Sequence, residues 1–188
     1  RIYDEMEVIN FELGWKANWT DDRVRTQAAI YNQGFHNYQV NFESPNVVIG
    51  QDNRNAPGHS KIWGIEFSTQ AHVGNTHIDG AFAYMKSDIG SFKNVIDPFR
   101  TAANGGVDVL IDLSGRPPPY SPEITANLGL AQDFHLAGML DGYMFTPRAD
   151  VSYVSTTQTK LWDTPLVTLE QRILVLLESR FQARLVLR

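Results

Sequence analysis

The chain has 188 residues, 43% hydrophobic and 20% charged, and its 16 basic and 21 acidic side chains give a formal charge of −5. That is room for one domain or a piece of a larger one, and it lacks the basic field that a phosphate backbone demands, so nucleic acid is not an expected partner. The absence of cysteine excludes a disulfide scaffold, a zinc ribbon and thiol catalysis, and no purely apolar run is longer than 173–177, which is too short to cross ~30 Å of hydrocarbon as a helix. The opening Arg1-Ile2-Tyr3-Asp4-Glu5-Met6-Glu7 has neither the layout of a signal peptide nor an initiator methionine, and reads as a chain entered midway.

Period two dominates from the start. In the first predicted strand, 8–19, Ile9, Phe11, Leu13, Trp15, Ala17 and Trp19 alternate with Asn10, Glu12, Gly14, Lys16 and Asn18. A second strand is placed at 24–42 and a third at 60–73, where Trp63, Ile65, Phe67, Thr69, Ala71 and Val73 alternate with Gly64, Glu66, Ser68, Gln70 and His72. The same pattern places strands at 76–87, 122–133 and 142–156, and the last two at 166–176 and 180–187. Their connections alternate short and long: 20–23 and Gly74-Asn75 are tight and 134–141 is moderate, whereas 43–59, 87–121 and 155–165 are long, and Glu178-Ser179 is a final tight turn.

Apolar-polar alternation describes any half-buried antiparallel sheet, so a soluble sandwich and a membrane barrel share it. Strand length and loop asymmetry separate them. Strands of about 9 residues or more match what a tilted transmembrane strand needs, and short turns at one end with long loops at the other are the habit of outer-membrane barrels. The predicted fold is all-β, an antiparallel up-and-down meander of about eight long strands forming part of a transmembrane β-barrel. Trp15, Trp19, Tyr84 and Tyr153 would then belong to aromatic girdles at the lipid interface.

Several segments resemble the C-terminal part of the β-barrel of TonB-dependent outer-membrane receptors: Glu7-Val8-Ile9-Asn10-Phe11-Glu12-Leu13-Gly14-Trp15-Lys16, Ala28-Ala29-Ile30-Tyr31, Ile62-Trp63-Gly64-Ile65-Glu66-Phe67, Gly115-Arg116-Pro117-Pro118-Pro119-Tyr120-Ser121-Pro122-Glu123 and Arg148-Ala149-Asp150-Val151-Ser152-Tyr153. They are similar, in the family's order, to its "E-x-x-x-x-E-x-G-x-K" strand, its "G-x-E" strand, its "G-x-x-x-P-x-x-P" lead into a strand and its "R-x-D-x-x-Y" strand. The family's plug domain, its energy-coupling box, the first part of its barrel and its aromatic-ended final strand are not among these residues, and 173–188 is compressed against the usual pattern. The resemblance implies that 1–188 is a partial receptor barrel domain in the outer membrane of a Gram-negative bacterium. Its partners would be outer-membrane lipid, a small-molecule nutrient such as an iron-siderophore, and TonB through the N-terminal plug region. It also implies active uptake of that nutrient and no enzymatic activity.

Candidate sites are few. His72 and His77 flank the Gly74-Asn75 turn, directly opposite on the polar face, where an imidazole pair could take zinc if Glu66 or Asp79 supplied a third ligand; a hydrated polar pair is the plainer reading. Glu12 with Lys16, and Arg148 with Asp150, share the interior face and are candidates for structural ion pairs. The loop 87–121, with Asp88, Asp97, Arg100, Asp108, Asp112 and Arg116, is where ligand contact would fall in the family, and otherwise reads as a mobile surface loop. No catalytic, cofactor-binding or metal residue is assigned and no cofactor is expected. Ser114-Gly115 lacks the strand-to-helix elbow of a nucleophile, and Gly105-Gly106 lacks the lysine and helix of a phosphate loop. Two other readings stay open: a soluble β-sandwich carbohydrate-binding module with Trp and Tyr as a stacking platform, and a β-rich enzyme with paired carboxylates.

Overall fold

The computed structural model describes residues 4–43, 51–137, 142–162 and 165–183. The long strands are β1 (Glu7–Trp19), β2 (Val24–Glu43), β3 (Gln51–Val73) and β4 (Thr76–Asp88). After them come the short β5 (Val95–Ile96), a helix α1 (Pro98–Ala103) and β6 (Leu110–Ile111). Next are β7 (Ile124–Gln132), β8 (Phe134–His135), β9 (Tyr143–Val154), β10 (Thr157–Gln158), β11 (Thr168–Leu169) and β12 (Arg172–Ala183). One 8-stranded sheet runs β1-β2-β3-β4-β7-β9-β12, with β8 beside β9. Each pairing is antiparallel with the next long strand in sequence, so the meander is as predicted.

The turns follow from local chemistry. Thr20, Asp21 and Asp22 all take positive φ (54°, 55° and 63°), a region short polar side chains tolerate, and the Asn18 amide donates to the Asp22 carboxylate at 2.6 Å. At the β3–β4 hairpin Gly74 supplies φ of 63° at the first central position, which strand twist requires and a Cβ would resist.

The register aligns the apolar parity across the sheet. Trp15 faces Ala28, which faces Phe67, then Phe82, Ala126, Tyr153 and Ile173. Leu13, Ile30, Ile65, Tyr84 and Ile124 form the next row. These side chains are not buried: Leu13 is 74% exposed, Ile65 42% and Phe67 43%. A sandwich would bury them against a second sheet, but the two other sheets among the described residues are two-stranded ribbons, which corrects the sandwich alternative. On β3 the apolar face runs from Trp63 to Val73, ten steps or ~33 Å along the strand, and a tilt of ~40° reduces that to ~25 Å, the height of a lipid-facing band.

Aromatic rings collect toward both ends of that band. Trp63 meets Tyr84 at 5.5 Å between centroids toward the long loops, and Trp15 meets Trp19 at 5.8 Å toward the tight turns. There Phe145 also stacks between Phe134 and Phe181.

Three boundary predictions fail. Residues 51–59 are not loop: they extend β3 and pair with β2 up to Glu43, leaving 44–50 outside the described residues. No alternation marks Gln51-Asp52-Asn53-Arg54-Asn55, because above the lipid band no hydrocarbon imposes an apolar residue at every second position. Pro57 and Gly58 together oppose Asn37 at a bulge, where a missing N–H and a φ of 91° are accommodated. Glu178-Ser179 is not a turn either: β12 runs straight through it, with Glu178 opposite Arg148 and Ser179 opposite Pro147, so the two strands placed at 166–176 and 180–187 are one. Pro165–Val167 is a 3-10 turn, and 184–188 lie outside the described residues.

The third failure concerns 87–121. Instead of a mobile loop it is a folded cap, and it holds the buried apolar cluster found among the described residues. Ile89, Phe92, Val95 and Leu113 cluster with Leu161, Trp162 and Val167 from the last long connection, and with Val40 and Ala56 from the extended ends of β2 and β3. β5 pairs with β6, β10 with β11, and the Tyr120 N–H donates to the Gln158 carbonyl at 2.8 Å, tying the two connections together.

Candidate functional site

On the polar parity the sheet presents Glu12, Lys16, Gln27, Glu66, Ser68 and Asn127 around a shallow hollow of about 370 Å³. A larger hollow, about 630 Å³, lies at the tight-turn end and is bounded by His72, His77, Asp133, Thr146, Arg148 and Glu178.

Arg148 is the centre of the polar face. Its Nη1 and Nη2 donate to the two Asp79 oxygens at 2.8 and 3.0 Å, its Nε and Nη2 donate to Asp150 at 2.8 and 2.5 Å, and Glu178 lies 3.8 Å away. Paired forks of this kind are the strongest geometry a guanidinium has. Gly129 makes them possible. It sits between Asp79 on β4 and Asp150 on β9, and a Cβ there would collide with Arg148 Nη2 and come within 2.7 Å of a carboxylate oxygen of each aspartate. The pairing of Arg148 with Asp150 was legible in the sequence; Asp79 and Glu178 join it only through the strand order. Replacing Arg148 by methionine leaves three carboxylates facing one another. With the groups partly exposed, the expected loss is about 1–2 kcal/mol, read by urea unfolding of the refolded receptor, and Asp79→Asn is expected to cost less.

His72 and His77 are opposite each other, as the two-residue turn requires. Their Nδ1 atoms are 2.6 Å apart. His77 Nε2 lies 2.8 Å from Asp133, whose other oxygen accepts from the Thr146 hydroxyl at 2.6 Å. Thr146 first, then His77, holds the Asp133 carboxyl below the usual carboxylate range. The carboxylates named as third ligands do not serve: Asp79 is committed to Arg148, and Glu66 is six residues up β3, ~20 Å away. Asp133, next to the end of β7, was not singled out in the sequence because only the β4–β7 register places it there.

Glu12 and Lys16 form no ion pair with each other among the described residues. Four residues along a strand is ~13 Å, beyond direct contact. Of the charged residues in 87–121, Asp97, Asp112 and Arg116 serve the cap. Asp97, 2% exposed, caps α1 by accepting from the Phe99 and Arg100 N–H groups, each at 3.0 Å. Asp112 accepts from Ser114 N–H at 2.8 Å, and Arg116 donates to the Leu161 carbonyl at 3.4 Å. Contacts with Ser114, its hydroxyl before its N–H, keep the Asp112 carboxyl below its ordinary range.

A single sheet of long antiparallel strands, apolar on one face through a band of lipid height and charged on the other, with tight turns at one end and a folded cap at the other, is wall of a transmembrane β-barrel. Residues 4–170 match the family described as TonB dependent receptor-like, beta-barrel, and the chain belongs to it. Among solved structures it is similar to BauA, the ferric preacinetobactin receptor of Acinetobacter baumannii (TM-score 0.65, 16% identity, 95% of this chain and 23% of that one). It is also similar to the ferric yersiniabactin uptake receptor FyuA of Yersinia pestis (TM-score 0.62, 16% identity, 94% and 22%) and to the siderophore receptor PiuA of Acinetobacter baumannii (TM-score 0.60, 17% identity, 94% and 22%). The chain thus spans less than a quarter of the length of the structures it resembles. β12 begins at Arg172, after the matched residues, and it is the strand whose apolar residues fall on both faces: Leu174 and Leu176 stand in the rows of Ser152 and Asp150.

Proposed function

We propose that residues 1–188 are one partial barrel domain of a TonB-dependent receptor in the outer membrane of a Gram-negative bacterium, importing a ferric siderophore or another scarce nutrient with energy from the TonB complex. Family membership over 4–170 is the observation that carries this reading. The lipid-height apolar band supports the membrane location, and the names of the similar receptors support an iron-chelate cargo. In this role the chain supplies wall, lumen surface and a cap over the mouth. It acts as a receptor and not as an enzyme, and contact with TonB falls to the plug region outside these residues.

The test is uptake of radioactive iron presented on a panel of siderophores, in cells with the parent gene deleted and restored. Accumulation that requires both the gene and TonB is the expected result. Accumulation unchanged by the deletion for every chelate and nutrient offered would overturn the reading.

A further inference from the structure

The histidine pair at the β3–β4 turn has a feature that a hydrated polar pair does not need, a built outer support. A carboxylate offers lone pairs only, so the proton between His77 and Asp133 sits on His77 Nε2. That leaves the His77 Nδ1 lone pair aimed at His72 Nδ1, 2.6 Å away. Asp133 is itself held by Thr146, so imidazole, carboxylate and hydroxyl form a chain that fixes both tautomer and ring orientation. This is the arrangement that orients a histidine toward a metal.

The two backbones are fixed by the hairpin. Two imidazole nitrogens at ~2.0–2.1 Å from one ion stand ~3.0–3.4 Å apart, so the rings need to separate by less than ~1 Å. The surrounding charge favours a cation: Asp79, Asp133 and Glu178 outnumber Arg148 and Arg180 around the adjoining hollow. The hollow is open to water, which can complete the coordination. Nitrogen donors select a borderline divalent ion, zinc or copper(II), over the hard ferric ion, so this site is distinct from a cargo path for iron.

We propose that His72 and His77, oriented through Asp133, bind a divalent zinc or copper ion at the tight-turn end of the polar face. Binding switches His72 to its Nε2–H tautomer, the Nδ1 proton leaving through solvent as one is taken up at Nε2 with no net release, and both Nδ1 atoms become ligands as neutral imidazoles.

The experiment is zinc titration of the full-length, untagged receptor in detergent, followed calorimetrically, with copper(II) electron paramagnetic resonance to count nitrogen donors. The expected result is one saturable site, two nitrogens in the copper spectrum, and binding abolished in both His72→Ala and His77→Ala. Asp133→Asn is expected to weaken zinc 10- to 100-fold while both histidines remain. His59→Ala, at the other end of β3, is the control that leaves the site unchanged. Heat-modifiable mobility confirms that each variant is folded, so a loss cannot be ascribed to misfolding. No saturable site in the parent, or zinc binding indifferent to His72→Ala and His77→Ala, would overturn the proposal; neither outcome touches the uptake reading, which iron accumulation tests separately.

Discussion

Phe67→Arg is expected to destabilise the folded receptor in its membrane by about 2–4 kcal/mol, while Ser68→Arg, one residue along, leaves assembly intact. The two positions differ only in parity. Phe67 is 43% exposed in a row with Trp15, Phe82 and Tyr153, and a guanidinium there must be taken out of water into hydrocarbon near the middle of the band. Ser68 lies in the row of Lys16 and Asn127 on the hydrated face, where another cation meets water. Leu13→Arg against Glu12→Arg repeats the contrast on β1. The measurement is the heat-modifiable folded fraction in isolated outer membranes, with urea unfolding in lipid vesicles giving the free energy.

The second large effect lies in the cap. Trp162 is 1% exposed among Ile89, Phe92, Val95, Leu113 and Val167, so Trp162→Ala is expected to cost about 3–5 kcal/mol of cap stability. That is roughly a 100-fold or greater increase in the open population. Limited proteolysis of whole cells reads it: cleavage near the exposed Asn104-Gly105-Gly106 tip accelerates, while the barrel still migrates as a heat-modifiable band. The two outcomes separate because the cap core rests on the extended ends of β2 and β3, above the band that lipid stabilises. Unchanged cleavage would show that the cap is not held by this cluster.

What the sequence disclosed tracks the solvent that imposes the pattern. Where one face meets lipid and the other water, as in β1 and in the lower half of β3, alternation fixed strand, parity and phase. Above the lipid the constraint is gone, so Gln51 to His59 carried no period and read as loop. In β12 the run 173–177 is apolar at both parities, which erases the phase and made Glu178-Ser179 look like a turn. The cap was invisible for a related reason: its ribbons are two residues long, too short for any period, and its cohesion comes from Trp162 meeting Ile89 across 73 residues of chain. The site divides in the same way. His72 opposite His77 follows from a two-residue turn, whereas Arg148 reaching Asp79 across Gly129, and Asp133 reaching His77, depend on the order β4-β7-β9.

The most direct test of the barrel assignment is accessibility along β3 at single cysteines, to which this chain adds no background because it has none. Spin labels placed one at a time at 65–71 in the receptor, folded in lipid, are exposed to oxygen, which partitions into hydrocarbon, and to a water-soluble nickel chelate. The account predicts strict alternation, with Ile65, Phe67, Thr69 and Ala71 reached by oxygen and Glu66, Ser68 and Gln70 by the nickel chelate. Equal access of the water-soluble reagent to both parities would mean that neither face meets lipid, and would contradict it.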